Sequence, residues 1–176
     1  MSSFPLAALF FFVLLLPVYP QRQTRQRDVS EYIGYSYSGV IPGTTLPNGV
    51  KYLGGGLIGD INSDPVYGIS QTVKGNTRML WLEVSTGRNA EGIAGWKVLD
   101  VLSFQSILKS EQIFFADDPS IYCSRRGSVV PNLVGRGRAI RKSGRFVPSM
   151  LWVANIQRKK FEPISLRGIS CDYSEP

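Results

Sequence analysis

The chain has 176 residues, 43% of them hydrophobic and 19% charged, with a formal net charge of +7. That balance excludes an intrinsically disordered protein, and the length suits one domain once any targeting segment is removed. No histidine is present, which excludes the commonest general base, the commonest zinc ligand and the usual pH switch.

The opening "MSSFPLAALFFFVLLLPVYP" has no charge from Phe4 to Tyr19. As a helix that run would reach about 24 Å, short of the roughly 30 Å of a bilayer core. Leu6 to Leu16 has the length of a signal-peptide hydrophobic region. Residues 1–20 therefore predict a signal peptide or membrane anchor. No base precedes the run, Val18-Tyr19-Pro20 offers no small residue for cleavage, and Arg22, Arg25 and Arg27 follow directly. A secreted or periplasmic protein is the first expectation, and anchoring through residues 4–19 is the alternative.

Residues 21–64 read as an irregular extension rich in Gly, Pro and Tyr, with Asn48-Gly49 as a tight turn. Within it, "KYLGGGLIGDINSDP" carries two overlapping signatures. Gly54, Gly56 and Gly59 match the spacing of a dinucleotide-binding turn, but that turn needs a strand before it and a helix after it. Here "DINSDP" follows, so the glycines read as a flexible turn. Asp60, Asn62 and Asp64 match the opening of a calcium loop. Counting from Asp60, the sharp-turn glycine is replaced by Pro65 and the bidentate glutamate by Gln71. Side chains folding back on their own backbone account for the segment. No cofactor and no metal are expected.

From residue 65 to 176 the pattern is β. "VYGISQTV" is rich in β-branched and aromatic residues, and "RMLWLEV" follows the turn "KGN". In "RMLWLEV", Arg78, Leu80, Leu82 and Val84 share one face, and Met79, Trp81 and Glu83 the other. "WKVLDVLSF" returns as its hairpin partner. Short strand-like segments continue through "SIYCSR", "SVVPNLVGRGRAI", "SMLWVANI" and "EPISLRGISC", separated by turn residues. The best helix candidate, "SFQSILKSEQ", is weak. The expectation is an all-β domain, a small antiparallel sandwich or open barrel.

Three features bear on chemistry. Cys123 and Cys171 both lie in strand-like segments; one disulfide is the simplest reading in an exported domain. Two buried thiols, or a two-thiolate metal site completed by carboxylates, are the alternatives. Glu83 and Asp100 lie in facing strands and would suit acid/base hydrolysis of a glycan or peptide if they met; otherwise they are solvent-facing strand residues. From Ile121 onward eleven Lys and Arg oppose three acids. Arg136, Arg138, Arg141, Lys142 and Arg145 cluster most tightly, as a candidate patch for an anionic surface or as a solvated basic face. The aromatics do not interleave with these bases in a stacking pattern, so nucleic acid is not the expected partner. Trp81, Trp96 and Trp152 read as core and sheet-face anchors, with a ligand cage as the alternative.

The residues Trp96, Val98, Asp100, Val101 and Leu102, then Cys123, then Trp152, Ala154, Asn155, Phe161–Ile164, Gly168, Ile169 and Cys171 form a W-x-V-x-D-V-L … C … W-x-A-N … F-E-P-I … G-I-x-C series. Across Arg78 to Cys171 the chain resembles uncharacterised small secreted proteins of cyanobacteria. The resemblance implies export, a shared β scaffold and joined cysteines, and it brings no known activity. The expected function is that of an exported, non-catalytic binding or envelope-associated module, whose partner would be an envelope protein or an anionic surface. The alternatives are the carboxylate hydrolase and an anchored protein whose basic face lies on anionic lipid.

Overall fold

The computed structural model describes residues 29–60, 62–105, 107–115 and 118–174. The expected signal or anchor at residues 1–20 lies outside them. The described chain is all-β, two antiparallel sheets with three short 3-10 turns and no α-helix. Of "SFQSILKSEQ", Ser103–Gln105 end one strand, residues 107–111 form an irregular connection and Gln112 begins the next strand.

The first sheet contains β1 (Ser36–Ser38), β2 (Thr45–Leu46), β3 (Val50–Ile58), β4 (Tyr67–Lys74), β5 (Thr77–Arg88) and β6 (Ala94–Gln105), in spatial order β1-β6-β5-β4-β3-β2. It curls into a half-barrel. Residues 36–58, read from sequence as part of an irregular extension, thus supply three of its six strands. Gly54–Gly56, expected as a flexible turn, lies inside β3. Its weak strand propensity is overridden because Gly54, Gly55 and Gly56 pair in register with Gln71, Ser70 and Ile69 of β4. The Asn48-Gly49 turn forms as expected, with both residues at positive φ (62° and 71°) between paired Leu46 and Val50.

The second sheet contains β7 (Gln112–Phe114), β8 (Ile121–Arg125), β9 (Ser128–Val129), β10 (Leu133–Ile140), β11 (Arg145–Asn155), β12 (Lys160–Pro163) and β13 (Ile169–Tyr173). Its order is β7-β10-β11-β13-β8-β9, and β12 also pairs with β11. Cys123 of β8 and Cys171 of β13 stand directly opposite each other and are joined in a disulfide. The link ties the last strand to one 48 residues earlier. On the chain-entropy account, closing a loop of that size stabilises the fold by about 4 kcal/mol.

Both faces of the first sheet are buried, which explains the almost unbroken apolar run of β5. One face, with Ile58, Ile69, Leu80, Leu82, Leu102 and Phe104, packs on Ile113, Val134, Ala154 and Phe161 of the second sheet. The concave face, with Val50, Met79, Trp81, Val98 and Val101, is closed by the N-terminal residues Val29 and Tyr32. Tyr32 stacks on Trp81 at 5.4 Å, and Lys74 clasps it from outside by a 2.9 Å hydrogen bond to its hydroxyl. The face assignment of "RMLWLEV" holds: Leu80 and Leu82 point to the sheet interface, Met79 and Trp81 into the half-barrel. Trp152 anchors the interface edge-on to Phe104, centroids 5.6 Å apart.

Candidate functional site

The half-barrel is not filled to its end. A cavity of about 280 Å³ opens on its concave side, lined by Tyr37, Gly39 and Val40 before β2, Tyr52 and Gly55–Leu57 of β3, Gly68 and Ser70 of β4, Glu83 of β5, and Ile93, Ala94 and Trp96 at the start of β6. Glycine makes the space. Gly68 stands directly opposite Glu83, and Gly55 opposite Ser70, so neither position sends a side chain into the floor. A Cβ on Gly68 would meet the Trp96 ring at 3.3 Å, and one on Gly55 would come within 2.8 Å of the Ile69 carbonyl. Their role is close approach of backbone and ring, which only a residue without a side chain allows.

Glu83 is the centre of the floor. It is 2% exposed, although the sequence reading gave it either a solvent-facing place or a pairing with Asp100. One carboxylate oxygen accepts the Tyr37 hydroxyl at 2.6 Å and the other accepts the Ser70 hydroxyl at 2.5 Å. Tyr37 Oη and Ser70 Oγ are themselves 3.1 Å apart. This triangle satisfies both protonation states. In the anion, both hydroxyls donate to the carboxylate. In the neutral acid, Glu83 donates to Ser70, Ser70 to Tyr37 and Tyr37 back to Glu83, each group donating once and accepting once. Burial pushes the Glu83 carboxyl up from its ordinary 4.5 to about 7, against the opposing pull of the Ser70 and Tyr37 hydrogen bonds. Burial and the neighbouring Glu83 charge hold the Tyr37 phenol well above its usual range, so it serves as a donor and not as a phenolate. Burial likewise raises the Tyr52 hydroxyl.

Asp100 is elsewhere. The β5–β6 register pairs Leu82 with Asp100 and Glu83 with Val98, with a bulge between, so the two carboxylates lie on opposite faces of the sheet. Asp100 accepts the Val101 amide at 2.9 Å and, across the sheet interface, the Phe161 amide at 2.6 Å. It stitches β6 to β12. The acid/base pair that a carboxylate hydrolase needs is not formed.

The five candidate anion-binding residues all belong to the β10–β11 hairpin and its Arg141–Ser143 turn. Arg138 and Arg145 share one face of it, opposite Phe146, and with Arg141 and Lys142 they are exposed. Arg136 lies deeper, half-buried, and its Nε has no hydrogen-bond partner among the described residues. Asp172 of β13 stands across from Arg145 and tempers the positive field. The hairpin is not continuous with the cavity lining.

The Asp60 loop folds back on itself as expected. The Asp60 carboxylate accepts the Asn62 amide at 2.9 Å, and the Asp60 carbonyl accepts the Ser63 amide at 3.0 Å. Among the described residues no three Cys, Asp or Glu gather where they could hold a metal ion.

Sequence reasoning singled out Glu83 but missed its partners. Tyr37 comes from "YSYSG", read as part of an irregular segment, yet β1 sets Tyr37 opposite Trp96. The signal was the Tyr-Ser alternation at strand spacing beside an acid in an otherwise apolar strand. Comparison with known protein families, curated proteins and solved structures finds no match to this chain.

Proposed function

We propose that the protein is an exported binding module that holds a small molecule in the cavity of its half-barrel. The observation that carries the reading is the Glu83–Ser70–Tyr37 triangle, a polar network on the floor of an otherwise apolar and aromatic hollow. A few convergent polar groups in a concave, largely apolar site are what orients a ligand. The disulfide supports a place outside the reducing cytosol, as does the likeness to small secreted cyanobacterial proteins. The cations of the β10–β11 hairpin would serve the same module as a contact for an anionic envelope surface.

The test is amide-resolved NMR titration with four small probes: choline, acetate, glycerol and glucose. Binding in the cavity moves the amides of Gly55, Gly56, Gly68 and Ser70 with at least one probe. Ala94→Trp, which places an indole on the Trp96 side of β6, abolishes that response. No response to any probe, or one unchanged in Ala94→Trp, overturns the reading.

A further inference from the structure

Resting on that reading of the cavity, we infer that its ligand is a small organic cation, a substituted ammonium whose charge faces Glu83 and whose carbon lies against the aromatic wall and the apolar mouth. The inventory of the lining decides between ligand classes. Among the described residues Glu83 is the one acid of the lining, and no Lys or Arg lines the cavity. An anionic ligand would set its charge beside Glu83 with no described cation in the lining to balance it. A sugar would need many directional partners. Among the side chains of the lining, the triangle and the Tyr52 hydroxyl are the polar groups.

A cation meets the opposite conditions. Among the described residues the buried carboxylate has no counter-charge: the donors facing it are the neutral hydroxyls of Tyr37 and Ser70. The groups packed around it are Tyr37 from β1, Tyr52 from β3, Ser70 and Gly68 from β4 and Trp96 and Val98 from β6, none of them cationic. Lys97 alternates to the other side of β6 from Trp96 and is exposed. Empty and below about pH 7, the site neutralises Glu83 with a proton, closing the hydroxyl ring. Occupied, an ammonium takes the place of that proton, and both hydroxyls turn to donate to the carboxylate. Tyr37, Tyr52 and Trp96 make the lining aromatic, and aromatic rings favour a desolvated ammonium. At the mouth Leu57 and Ile93 remain 39% and 38% exposed, a rim suited to methyl and methylene groups.

Proton and ligand compete for one carboxylate, so affinity tracks its ionised fraction. With Glu83 at about 7, binding at pH 5 is about a hundredfold weaker than on the plateau above pH 8. The experiment is calorimetric titration of the full chain with choline, tetramethylammonium and butylammonium. The neutral carbon isostere of choline, 3,3-dimethylbutan-1-ol, is titrated alongside. The expected result is that at least one cation binds at pH 8, more than tenfold tighter than the isostere, and loses affinity at pH 5 as stated. Glu83→Gln removes both the preference for charge and the pH dependence; should that variant fail to fold, the wild-type pH series and isostere comparison decide alone. An isostere that binds as well as choline leaves the cavity reading standing and overturns the cation. Cation binding that survives Ala94→Trp places the site elsewhere and also overturns it. No binding by any of the three cations, with glycerol or glucose still moving the Gly55 amide, overturns the cation alone. No binding of any probe overturns both readings.

Discussion

Glu83→Gln tests whether the buried carboxyl is neutral in the folded protein. An unfolded glutamate titrates near 4.5, and burial moves Glu83 to about 7. Between those values the native state keeps a proton that the unfolded chain has released, so stability falls as pH rises from about 4.5 to about 7 and is level outside that window. The gap corresponds to about 3 kcal/mol. With a urea dependence of about 2 kcal/mol/M, the wild-type midpoint drops by about 1.5 M from this group between pH 4.5 and pH 8. A glutamine keeps the triangle, donating to Ser70 and accepting from Tyr37, and has nothing to titrate. The variant is therefore expected to match the wild type within about 1 kcal/mol at pH 4.5 and to exceed its stability by about 2–3 kcal/mol at pH 8. Other carboxylates, including Glu162, held low by hydrogen bonds from Asn155 and Arg158, act in both proteins alike and cancel in the difference. Urea unfolding followed by tryptophan fluorescence at several pH values measures that difference. Parallel curves for the two proteins, or a variant less stable at pH 8, would refute the reasoning.

Replacing both Cys123 and Cys171 by serine costs about 4 kcal/mol on the chain-entropy account, read as a lowered urea midpoint; a change under 1 kcal/mol would remove the link from the stability argument. Asp100→Ala leaves the Phe161 amide at the sheet interface without its acceptor, for a loss of about 2 kcal/mol; an unchanged melting temperature would contradict that place for it. Gly55→Ala forces a Cβ to within 2.8 Å of the Ile69 carbonyl and 3.0 Å of the Ser70 and Tyr52 hydroxyls. Its expected effects are a loss of about 1–3 kcal/mol and loss of small-molecule binding, and binding as strong as the wild type would disprove the tight floor. Arg138→Gln, Arg141→Gln and Arg145→Gln together are expected to lower the salt at which the protein leaves a heparin column, and coincident elution would discard the anionic-surface role.

Strand alternation was enough to read the heart of the fold. In "RMLWLEV" the period of two assigns Leu80 and Leu82 to one buried face and Met79 and Trp81 to the other. The positive-φ preference of Asn-Gly likewise places the turn before β3. The glycines of that strand were illegible because propensity is local, whereas their pairing with β4 is a contact between separate segments. For the same reason Glu83 looked like a surface acid. An acid in a strand faces water unless another element covers it, and the cover comes from Tyr37, 46 residues away.

The amino-acid sequence by itself determined the class of the protein: all-β, without histidine chemistry, with two cysteines in strands able to meet. These follow from composition and short-range periodicity, which act through each residue's own backbone and its nearest neighbours. Only the tertiary structure decided that the first sheet curls, that a β-bulge turns Asp100 away from Glu83, and that two hydroxyls from other strands close around the buried carboxyl. Desolvation is a property of the enclosure and not of the residue, and so the chemistry of Glu83 exists only once the half-barrel is built around it.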